Sequence, residues 1–463
     1  MRVLIVGSGP AGLTLGSPLA RRGHEVISVD RDPGPAADGT WRRRGVMQFQ
    51  HAHGFRPQVR DLLLAEWPDA YDEWVRLGAE PISFELPDGT PGGTVVRSRR
   101  TTYERALRAA AGRVRGLTLR TGHVDGLIER RGRVVGAVVD GSSCDADLVI
   151  DASGRTARIV GPADDELGGD CGIAYVNRCY RLHDGAALGP LTMPLAWGGT
   201  FSGYHAMVFP HEQGHFSVVI IRPTSDVALQ RLRHRDAFEA ACRAIPALAA
   251  WTDPGRAVPT TDVLVGGRLR NVYREQQRLR GLVAVGDSVS TTTPTVGRGV
   301  AMASMQIGGL LDLLDGGADP VAVGEPFGDW CDEHIRPWVE DHIARDDESV
   351  QRLQGADIDL SRPLTSTAIV DAAQVDQRIL EYVGGFLGMR SLPATLAPAE
   401  PLARAVYLSG WRPLYADGPS RDELVAIIES AMHRNGSPPW SAMVSSAVAL
   451  SGVETPERER LSA

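Results

Sequence analysis

A glycine-rich turn between two apolar strands at the start of the chain constrains the fold more than any other feature. Residues 3–6 form a continuous apolar run, which is typical of a parallel strand buried on both faces. The pattern G-x-G-x-x-G follows: Gly7 permits a tight turn, Gly9 lets a pyrophosphate approach the backbone, and Gly12 lets a helix pack closely on the strand. The sequence therefore predicts the strand, turn and helix of a dinucleotide-binding unit.

The segment after the turn continues this pattern. A helix is predicted from about Pro10 to Arg22, and the second strand is predicted over residues 24–30. Asp30 ends that strand, eighteen residues after the last glycine of the motif, where a ribose diol needs a carboxylate acceptor. The context makes the motif specific for a dinucleotide, although it does not separate NAD from FAD.

Composition and charge argue against several classes of protein. The 463 residues carry a formal net charge of −8, so there is no basic surface for nucleic acid. The five cysteines are scattered and form no C-x-x-C, so neither a disulfide framework nor a metal site is predicted. The N-terminal apolar run is too short for a signal peptide, and no apolar stretch reaches the roughly eighteen residues of a membrane span. We therefore expect a cytoplasmic protein without a membrane span.

Periodicity along the chain predicts an α/β domain that is interrupted by a second sheet and then completed. Residues 117–139 alternate like a small meander, and residues 148–154 repeat the pattern of a buried strand with a glycine turn. Strand-like pieces over 173–265 indicate a mostly antiparallel sheet, and residues 282–287 return to a buried parallel strand. The predicted fold is α/β, with a doubly wound Rossmann-like domain (1–170 and 276–325), a mixed substrate-domain sheet (171–275) and a helical C-terminal region (326–463).

A second glycine-rich segment indicates which dinucleotide is bound. Gly286 and Asp287 follow a buried strand, and Pro294, Gly297 and Gly299 precede a predicted helix. A carboxylate at a strand end can accept a hydrogen bond from a ribityl hydroxyl, and a helix N-terminus stabilises nearby negative charge. Since a reduced flavin carries negative charge at N1 and O2, this combination favours FAD.

With these segments the chain resembles the FAD-dependent monooxygenases of the aromatic-hydroxylase and epoxidase type, which have the para-hydroxybenzoate-hydroxylase-like fold. The resemblance covers three separated motifs within residues 3–310. It implies that Arg100 is the helix-start residue that reaches FAD and that the backbone of Val124 meets the adenine. The FAD site that it implies consists of Gly7, Gly9, Pro10, Ala11, Gly12, Asp30, Arg31, Arg44, Arg100, Val124, Ser153, Gly154, Gly286, Asp287, Pro294, Gly297, Gly299 and Val300.

One departure from the family concerns the supply of electrons. The hydroxylases carry an Asp-Gly motif in mid-chain that is linked to FAD and reduced nicotinamide, whereas here Ser153 precedes Gly154. This form is more similar to the epoxidase, halogenase and isoprenoid-reductase branch. NADPH or NADH is therefore expected to supply electrons either directly or through a separate flavin reductase. The Trp-x-Trp-x-Ile-Pro motif of flavin halogenases is absent from the sequence, which argues against halogenation.

No catalytic residue is assigned from the sequence. His51 and His53 are candidates for contacts with flavin or substrate, and two loop histidines that cap backbone groups are the alternative. The arginine run 42–44 could pair with FAD phosphates, and Arg44 is included in the predicted site. One face of the second sheet should cover the substrate pocket, but the sequence does not show which face carries the alternating residues Met207, Phe209, Phe216, Val218 and Ile220.

The sequence thus predicts an FAD-dependent monooxygenase that inserts one oxygen atom from O2 into an apolar or aromatic small molecule, by hydroxylation or epoxidation. The resemblance implies a flavin C4a-hydroperoxide, so the protein must exclude water and place the substrate. Two alternatives stay open. One is an FAD-dependent reductase or dehydrogenase of an isoprenoid-like substrate, and the other is a non-redox protein such as an FAD-dependent isomerase.

Overall fold

The computed structural model describes residues 1–43, 45–86, 89–155, 159, 166–277 and 279–434. The strands in these ranges are β1 (Arg2–Val6), β2 (Glu25–Asp30), β3 (Glu80–Glu85), β4 (Pro91–Arg97), β5 (Leu117–Thr121), β6 (Val124–Arg130), β7 (Arg133–Val139), β8 (Ser142–Asp145), β9 (Leu148–Asp151), β10 (Glu166–Asp170), β11 (Ile173–Leu182), β12 (Trp197–Phe201), β13 (Tyr204–Pro210), β14 (His215–Pro223), β15 (Ala257–Pro259), β16 (Leu264–Gly266), β17 (Arg270–Arg274), β18 (Leu282–Ala284) and β19 (Ser290–Thr291). The α-helices are α1 (Pro10–Arg21), α2 (Pro57–Glu66), α3 (Pro68–Arg76), α4 (Arg100–Ala111), α5 (Arg235–Ala244), α6 (Pro246–Thr252), α7 (Gly299–Asp315), α8 (Gly324–His334), α9 (Arg336–Leu353), α10 (Ser366–Ala372), α11 (Leu380–Leu387), α12 (Glu400–Leu408) and α13 (Arg421–Arg434).

A five-stranded parallel sheet with the strand order β18-β9-β1-β2-β5 carries the glycine motif. Both faces of β1 are covered, which explains its continuous apolar run. Val3 and Ile5 pack in a core with α1 and α7, whereas Leu4 and Val6 pack against residues of the meander strand β7. The parallel sheet, α1 and β2 agree with the sequence prediction.

The strand β5 differs from its predicted place. Residues 117–121 are expected in the meander, but β5 pairs parallel to β2, with Thr121 opposite Asp30. The meander is instead β6-β7-β8, and its third strand is Ser142–Asp145. Alternation within one strand does not identify its partner, because an edge strand of a parallel sheet and a meander strand are both half exposed.

A second, antiparallel sheet has the order β12-β13-β14-β11-β15, with β16 also paired to β11, as predicted for this region. Its two faces divide the apolar residues that the sequence left unplaced. Met207 and Phe209 lie on the face toward the parallel-sheet domain. The opposite face forms a core with α5 and α13 and contains Phe216, Val218 and Ile220.

Two of the predicted helices are each divided by a proline. The sequence predicts helical structure over 58–76 and over 236–250, where the structure has the pairs α2–α3 and α5–α6. Pro68 and Pro246 begin the second helix of each pair. Proline fits the first helical turn because no N–H is needed there, and it disfavours helical backbone in the residue before it.

The described chain after α7, up to residue 434, is helical as predicted, and the rest of the predicted helical region lies outside the described residues. The long helix α9 packs against β14 of the antiparallel sheet and against β17 and β19, which form a separate three-stranded sheet with β10. The helix α13 returns to pack on α5 and on the core of the antiparallel sheet. Within the ranges given above, no helix is both long enough and apolar enough to cross a membrane.

Candidate functional site

The glycine turn has the geometry of a nucleotide-binding turn. A Cβ at Gly7 would lie 2.3 Å from Ala152 O, and a Cβ at Gly12 would lie 1.9 Å from Gly7 O, so both positions require glycine. The surroundings of Gly9 are more open, since the nearest atom to an added Cβ is Arg43 Nη1 at 3.7 Å. α1 begins there without a side-chain cap, which leaves its first N–H groups free to bind a phosphate.

Three segments that are distant in the sequence converge at this turn. A Cβ at Gly286 would lie 2.8 Å from the Cβ of Ala11, so the loop after β18 lies directly against the first turn. In the same loop, Ser288 Oγ accepts from Gly154 N at 3.2 Å and donates to Asp151 Oδ1 at 3.2 Å. The strand ends that the sequence predicted to share a site therefore do lie together.

Asp30 lies beside the turn, with most of its carboxylate bonded inside the protein. Oδ2 accepts from Ser8 N at 2.8 Å and from Arg43 Nη2 at 2.9 Å, and Oδ1 accepts from Asp32 N at 2.9 Å. A carboxylate has about four acceptor sites, so one remains for a ribose hydroxyl. The neighbouring Arg31 is exposed.

Arg43 is the arginine of the 42–44 run that the described part of the structure brings to this site. Its guanidinium is buried beside Gly9, and it donates to Glu104 Oε2 at 2.6 Å as well as to Asp30. The predicted residue Arg44 lies outside the described residues. The sequence does not show which of three consecutive arginines is buried, because this depends on the carboxylates that other elements bring to the site.

Two further predicted residues lie at the same edge of the parallel sheet. Arg100 begins α4, and its Nε donates to Glu104 Oε1 at 2.5 Å. Val124 begins β6, two residues after Gly122, whose N–H donates to Asp30 O at 2.9 Å. Their predicted contacts with FAD stay predictions, but both residues are next to the Asp30–Arg43 pair.

A cavity lies between this edge and the antiparallel sheet. The sheet contributes an apolar wall of Tyr175, Met207, Phe209, Val219 and Ile221. The opposite wall contains the predicted flavin residues Arg100, Asp287, Pro294, Gly297, Gly299 and Val300. Predicted cofactor residues and predicted substrate residues therefore line one shared space.

The two histidine candidates have different positions. His53 lines the cavity, whereas His51 packs edge-on against Tyr175 with ring centroids 5.3 Å apart. Burial lowers the pKa of His51 to about 4, and burial together with Arg100 holds the pKa of His53 well below its usual range. Both imidazoles are thus neutral near pH 7, and His53 is the one that can contact a ligand.

Asp287 presents an unpaired carboxylate to the cavity. Among the described residues no side chain bonds to this carboxylate, since Arg274 and Thr291 donate to its main-chain oxygen instead, at 3.2 and 3.1 Å. Desolvation raises the pKa of Asp287, against the opposing charges of Arg100 and Arg155. An accessible carboxylate without a protein donor suits the ribityl hydroxyls of FAD, so these residues fit that cofactor.

The cavity-lining loop 293–297 is held from behind by α9. Asp346 Oδ2 accepts from Thr293 Oγ1 at 2.7 Å and from Asn271 Nδ2 at 2.8 Å, and His342 Nε2 lies 2.7 Å from the same threonine oxygen. His342 and Asp346 are fully buried, so this network supports the loop and does not contact a ligand. This network could not be recognised from the sequence, because polar residues at helical spacing normally form a solvated helix face.

A buried carboxylate from the antiparallel sheet caps α4. Glu212, in the turn between β13 and β14, accepts from Arg99 N at 2.7 Å, from Arg99 Nε at 2.8 Å and from Thr102 Oγ1 at 2.5 Å. Burial alone would raise the pKa of Glu212, but the Arg99 guanidinium and the Thr102 hydroxyl lower it, so it is ionised. This contact fixes the start of α4, and thereby Arg100, relative to the sheet.

We expect Glu212→Ala to reduce the free energy of unfolding by about 3 kcal/mol, because three hydrogen bonds to a buried charge are lost. Glu212→Gln keeps an acceptor for Arg99 N, so its free energy of unfolding should fall clearly less. Urea unfolding of both variants at neutral pH measures the difference. Equal losses in the two variants would contradict the assigned cap.

A second prediction concerns acid stability. His211 is buried, with Nε2 2.9 Å from Ser217 Oγ, and burial lowers its pKa to about 4. The unfolded chain therefore binds a proton here between about pH 6.5 and pH 4 that the folded chain excludes. Stability must fall with falling pH in this window, by up to about 1.4 kcal/mol per pH unit for this group.

The variant His211→Gln keeps a donor for Ser217 and removes the titration. We expect its free energy of unfolding to fall less than that of the wild type between pH 6.5 and pH 4.5, in urea titrations at both pH values. The exposed His123 provides the control variant His123→Gln, which should follow the wild type. A pH dependence of His211→Gln as steep as that of the wild type would refute the prediction.

Comparison with known proteins agrees with this geometry. Residues 1–50 match the family model described as an FAD binding domain. The chain is 26% identical over 353 residues to Protein Rv3254 of Mycobacterium tuberculosis, a match that covers 67% of this chain and 72% of that protein. It is also 41% identical over 49 residues to a D-amino acid dehydrogenase of Sinorhizobium medicae. This short match covers 11% of this chain and 12% of that protein.

Solved structures share the architecture over most of the chain. The flavin-dependent brominase Bmp2 has a TM-score of 0.59 at 16% identity, covering 89% of this chain and 99% of that one. 2-Methyl-3-hydroxypyridine-5-carboxylic acid oxygenase has a TM-score of 0.52 at 14% identity, covering 78% of this chain and 94% of that one. This chain has the fold of the FAD-dependent monooxygenases. The Diels-Alderase PyrE3 also has it, with a TM-score of 0.54 at 15% identity and coverage of 85% and 82%.

These findings confirm the family resemblance and the fold class that the sequence predicted. The match to the FAD-binding family model also agrees with the expected class of enzyme, an FAD-dependent oxidoreductase. At such low identities the solved structures establish the fold alone. The individual FAD contacts therefore stay predictions, supported by the convergence of Gly9, Asp30, Gly154 and Asp287 at one edge of the parallel sheet.

Proposed function

We propose that the protein is an FAD-dependent monooxygenase that inserts one oxygen atom from O2 into an apolar or aromatic small molecule. The observation that carries this proposal is the shared cavity, with Asp287 and loop 293–297 on one wall and the apolar face of the antiparallel sheet on the other. A substrate between these walls would be shielded from water beside the flavin. Hydroxylation and epoxidation both suit such a cavity.

The chain's residues would bind FAD from end to end. The free N–H groups at the start of α1, with Arg43 nearby, suit the pyrophosphate. Asp30 suits the adenosine ribose and Asp287 the ribityl chain. The N-terminus of α7 begins at Gly299 on the cavity wall, where its dipole would stabilise negative charge on the ring. Bound FAD would supply the oxygen chemistry, and the protein would orient the substrate.

Electrons would come from NADPH or NADH, either directly or through a separate flavin reductase. Ser153, in place of the usual aspartate, favours the two-component arrangement. We also propose the domain division drawn from the sequence and a location in the cytoplasm. These points rest on the sequence and on the family resemblance.

The fold alone does not decide the reaction, because it also occurs in a brominase and a Diels-Alderase. The missing Trp-x-Trp-x-Ile-Pro motif argues against halogenation. The Diels-Alderase keeps the non-redox alternative open as a second candidate function. The reductase alternative differs from our proposal in its product, which would contain no oxygen atom from O2.

The decisive experiment uses the purified full chain, isotopically labelled O2 and a panel of uncharged aromatic and polyene compounds. FAD content is measured first, and NADPH or NADH is then added with and without a flavin reductase. We expect products that carry one labelled oxygen atom and depend on reduced flavin. Conversion without O2 would favour the reductase, and conversion with a redox-inactive flavin analogue would favour the non-redox alternative. A protein that takes up no FAD would overturn all three hypotheses.

A further inference from the structure

Three arginines lie at the cavity-lining loop 293–297, and the site described so far makes no use of them: Arg298 is buried, and Arg56 and Arg345 are half-buried. Arg56 donates to Val296 O through Nε at 3.1 Å and through Nη2 at 2.8 Å. Its Nη1 donates to Leu387 O at 2.8 Å. Arg56 thus holds the loop through Val296, and neither of these two residues lines the cavity.

The charge of Arg56 has no counterion among the described residues. Its two neighbours are paired, because Arg298 bonds to Asp341 at 2.6 Å and Arg345 bonds to Asp346 at 3.1 Å. Among these three guanidinium groups, Arg56 is therefore the one without a carboxylate partner in the described part of the chain. His342, packed among them, adds none, because burial and the neighbouring arginines hold its pKa well below its usual range.

Arg56 remains charged in this environment. Burial first, and then the charges of Arg298 and Arg345, lower its pKa to about 10, which is still well above neutral pH. Even partial desolvation of a charge is costly, and neutral donors would suffice to bond two main-chain carbonyls. The hydrogen bonds alone therefore do not explain why a positively charged side chain is present at this position.

Position suggests what that role is. Val296, to which Arg56 bonds, immediately precedes Gly297, which lines the cavity, and α7 begins two residues later at Gly299. The cluster thus lies directly behind the wall that the proposed function assigns to the flavin ring. Uptake of two electrons and one proton converts the neutral oxidised ring into a reduced ring with one negative charge. A fixed positive charge behind the wall stabilises only the reduced form.

Building on the proposed FAD site, we propose that Arg56 raises the reduction potential of the bound flavin through its charge. It is a tuning residue that contacts neither substrate nor flavin. Its influence passes through the protein wall at Val296. The affinity for oxidised FAD should depend little on this charge, whereas the affinity for reduced FAD should depend on it strongly.

The test compares Arg56→Gln, which keeps a donor for Val296 O but removes the charge, with Arg56→Lys, which keeps the charge. The control is Arg222→Gln. Like Arg56, Arg222 bonds only to main-chain carbonyls; it is buried and lies on the face of β14 away from the cavity. Each protein is loaded with FAD, reduced slowly beside a redox dye, and followed spectroscopically. FAD release is measured separately by fluorescence.

We expect Arg56→Gln to raise the ratio of oxidised to reduced flavin about tenfold at a fixed potential, a shift of about 30 mV for a two-electron couple. Arg56→Lys and Arg222→Gln should stay within about threefold of the wild type, and all four proteins should bind oxidised FAD alike. An unchanged potential in Arg56→Gln would overturn the inference. An equal fall of the flavin reduction potential in Arg56→Gln and Arg56→Lys would also overturn it, since a change in loop geometry would then be the cause. A wild type that binds no FAD would instead overturn the proposed function.

Discussion

Replacing Gly12 by alanine is expected to abolish FAD retention and to lower the free energy of unfolding by about 3 kcal/mol or more. The new Cβ would lie 1.9 Å from Gly7 O and 3.3 Å from Ile5 Cγ2. The first of these atoms belongs to the main chain of the turn, so relief requires α1 to move away from β1. That movement would also shift the N–H groups at the start of α1. Urea unfolding of the apoprotein and FAD content after gel filtration measure the two effects.

Gly308→Ala is the matched control. Gly308 also lies within a helix, α7, but a Cβ there would meet only Leu62 Cδ1 at an ordinary 3.8 Å. Alanine is the better helix former, so this variant should match the wild type or gain up to about 1 kcal/mol. If Gly12→Ala behaved like Gly308→Ala in both measurements, the close approach of α1 to the turn would be disproved.

The parts of the fold that local sterics determine could be predicted from the sequence. The turn from Gly7 to Gly12, the helix after it and the strand ending at Asp30 are each specified within a few residues. The adjacency of the Asp287 loop to this turn follows from a general rule, because carboxyl ends of neighbouring parallel strands meet at one edge. The contact between Gly286 and Ala11 agrees with that expectation.

Features that depend on the partner of a segment could not be predicted. The alternation of β5 is the same whether it joins a meander or the edge of the parallel sheet, so its assignment was wrong. For the same reason the faces of the antiparallel sheet stayed unassigned until the register of Met207 with Val219 was known. Period two defines two faces of a strand but does not name the neighbour of either.

The residues that support the site from outside the cavity also could not be predicted from the sequence. Glu212, Asp346 and Arg56 lie far from the glycine motifs in the chain, and each acts on a cavity-lining element that another segment supplies. A charged residue in a loop or on a helix is usually solvated, so its type alone carries no sign of burial. These residues become recognisable only when their partners are known.

The supports have a common consequence for the cavity. Glu212 ties the start of α4 to the antiparallel sheet, and Asp346 ties loop 293–297 to α9. Two parts of the cavity wall that carries the predicted flavin residues are therefore connected to elements outside the nucleotide-binding domain. The position of loop 293–297 depends on the helical C-terminal region as well as on the FAD-binding segments.

The variant Asp287→Ala should separate cofactor binding from stability more cleanly than any other substitution in the site. The carboxylate has no donor among the described residues, so its removal should leave the unfolding free energy of the apoprotein unchanged. FAD affinity should fall by about tenfold to a hundredfold, which corresponds to the loss of a hydrogen bond of about 1.5–3 kcal/mol to a charged acceptor. Fluorescence titration of the apoprotein with FAD measures the dissociation constant.

The pH dependence of FAD binding tests the same assignment independently. Desolvation raises the pKa of Asp287 in the FAD-free protein, so this group gains its proton at a higher pH than an ordinary carboxyl does. A protonated carboxyl is the weaker acceptor, so wild-type affinity should fall on acidification through that raised pKa, and Asp287→Ala should lack this phase. Asp312→Ala, which removes an exposed carboxylate near the far end of α7, should behave like the wild type at every pH. An Asp287→Ala variant with wild-type affinity and the same acid phase would exclude Asp287 as the acceptor for the ribityl chain.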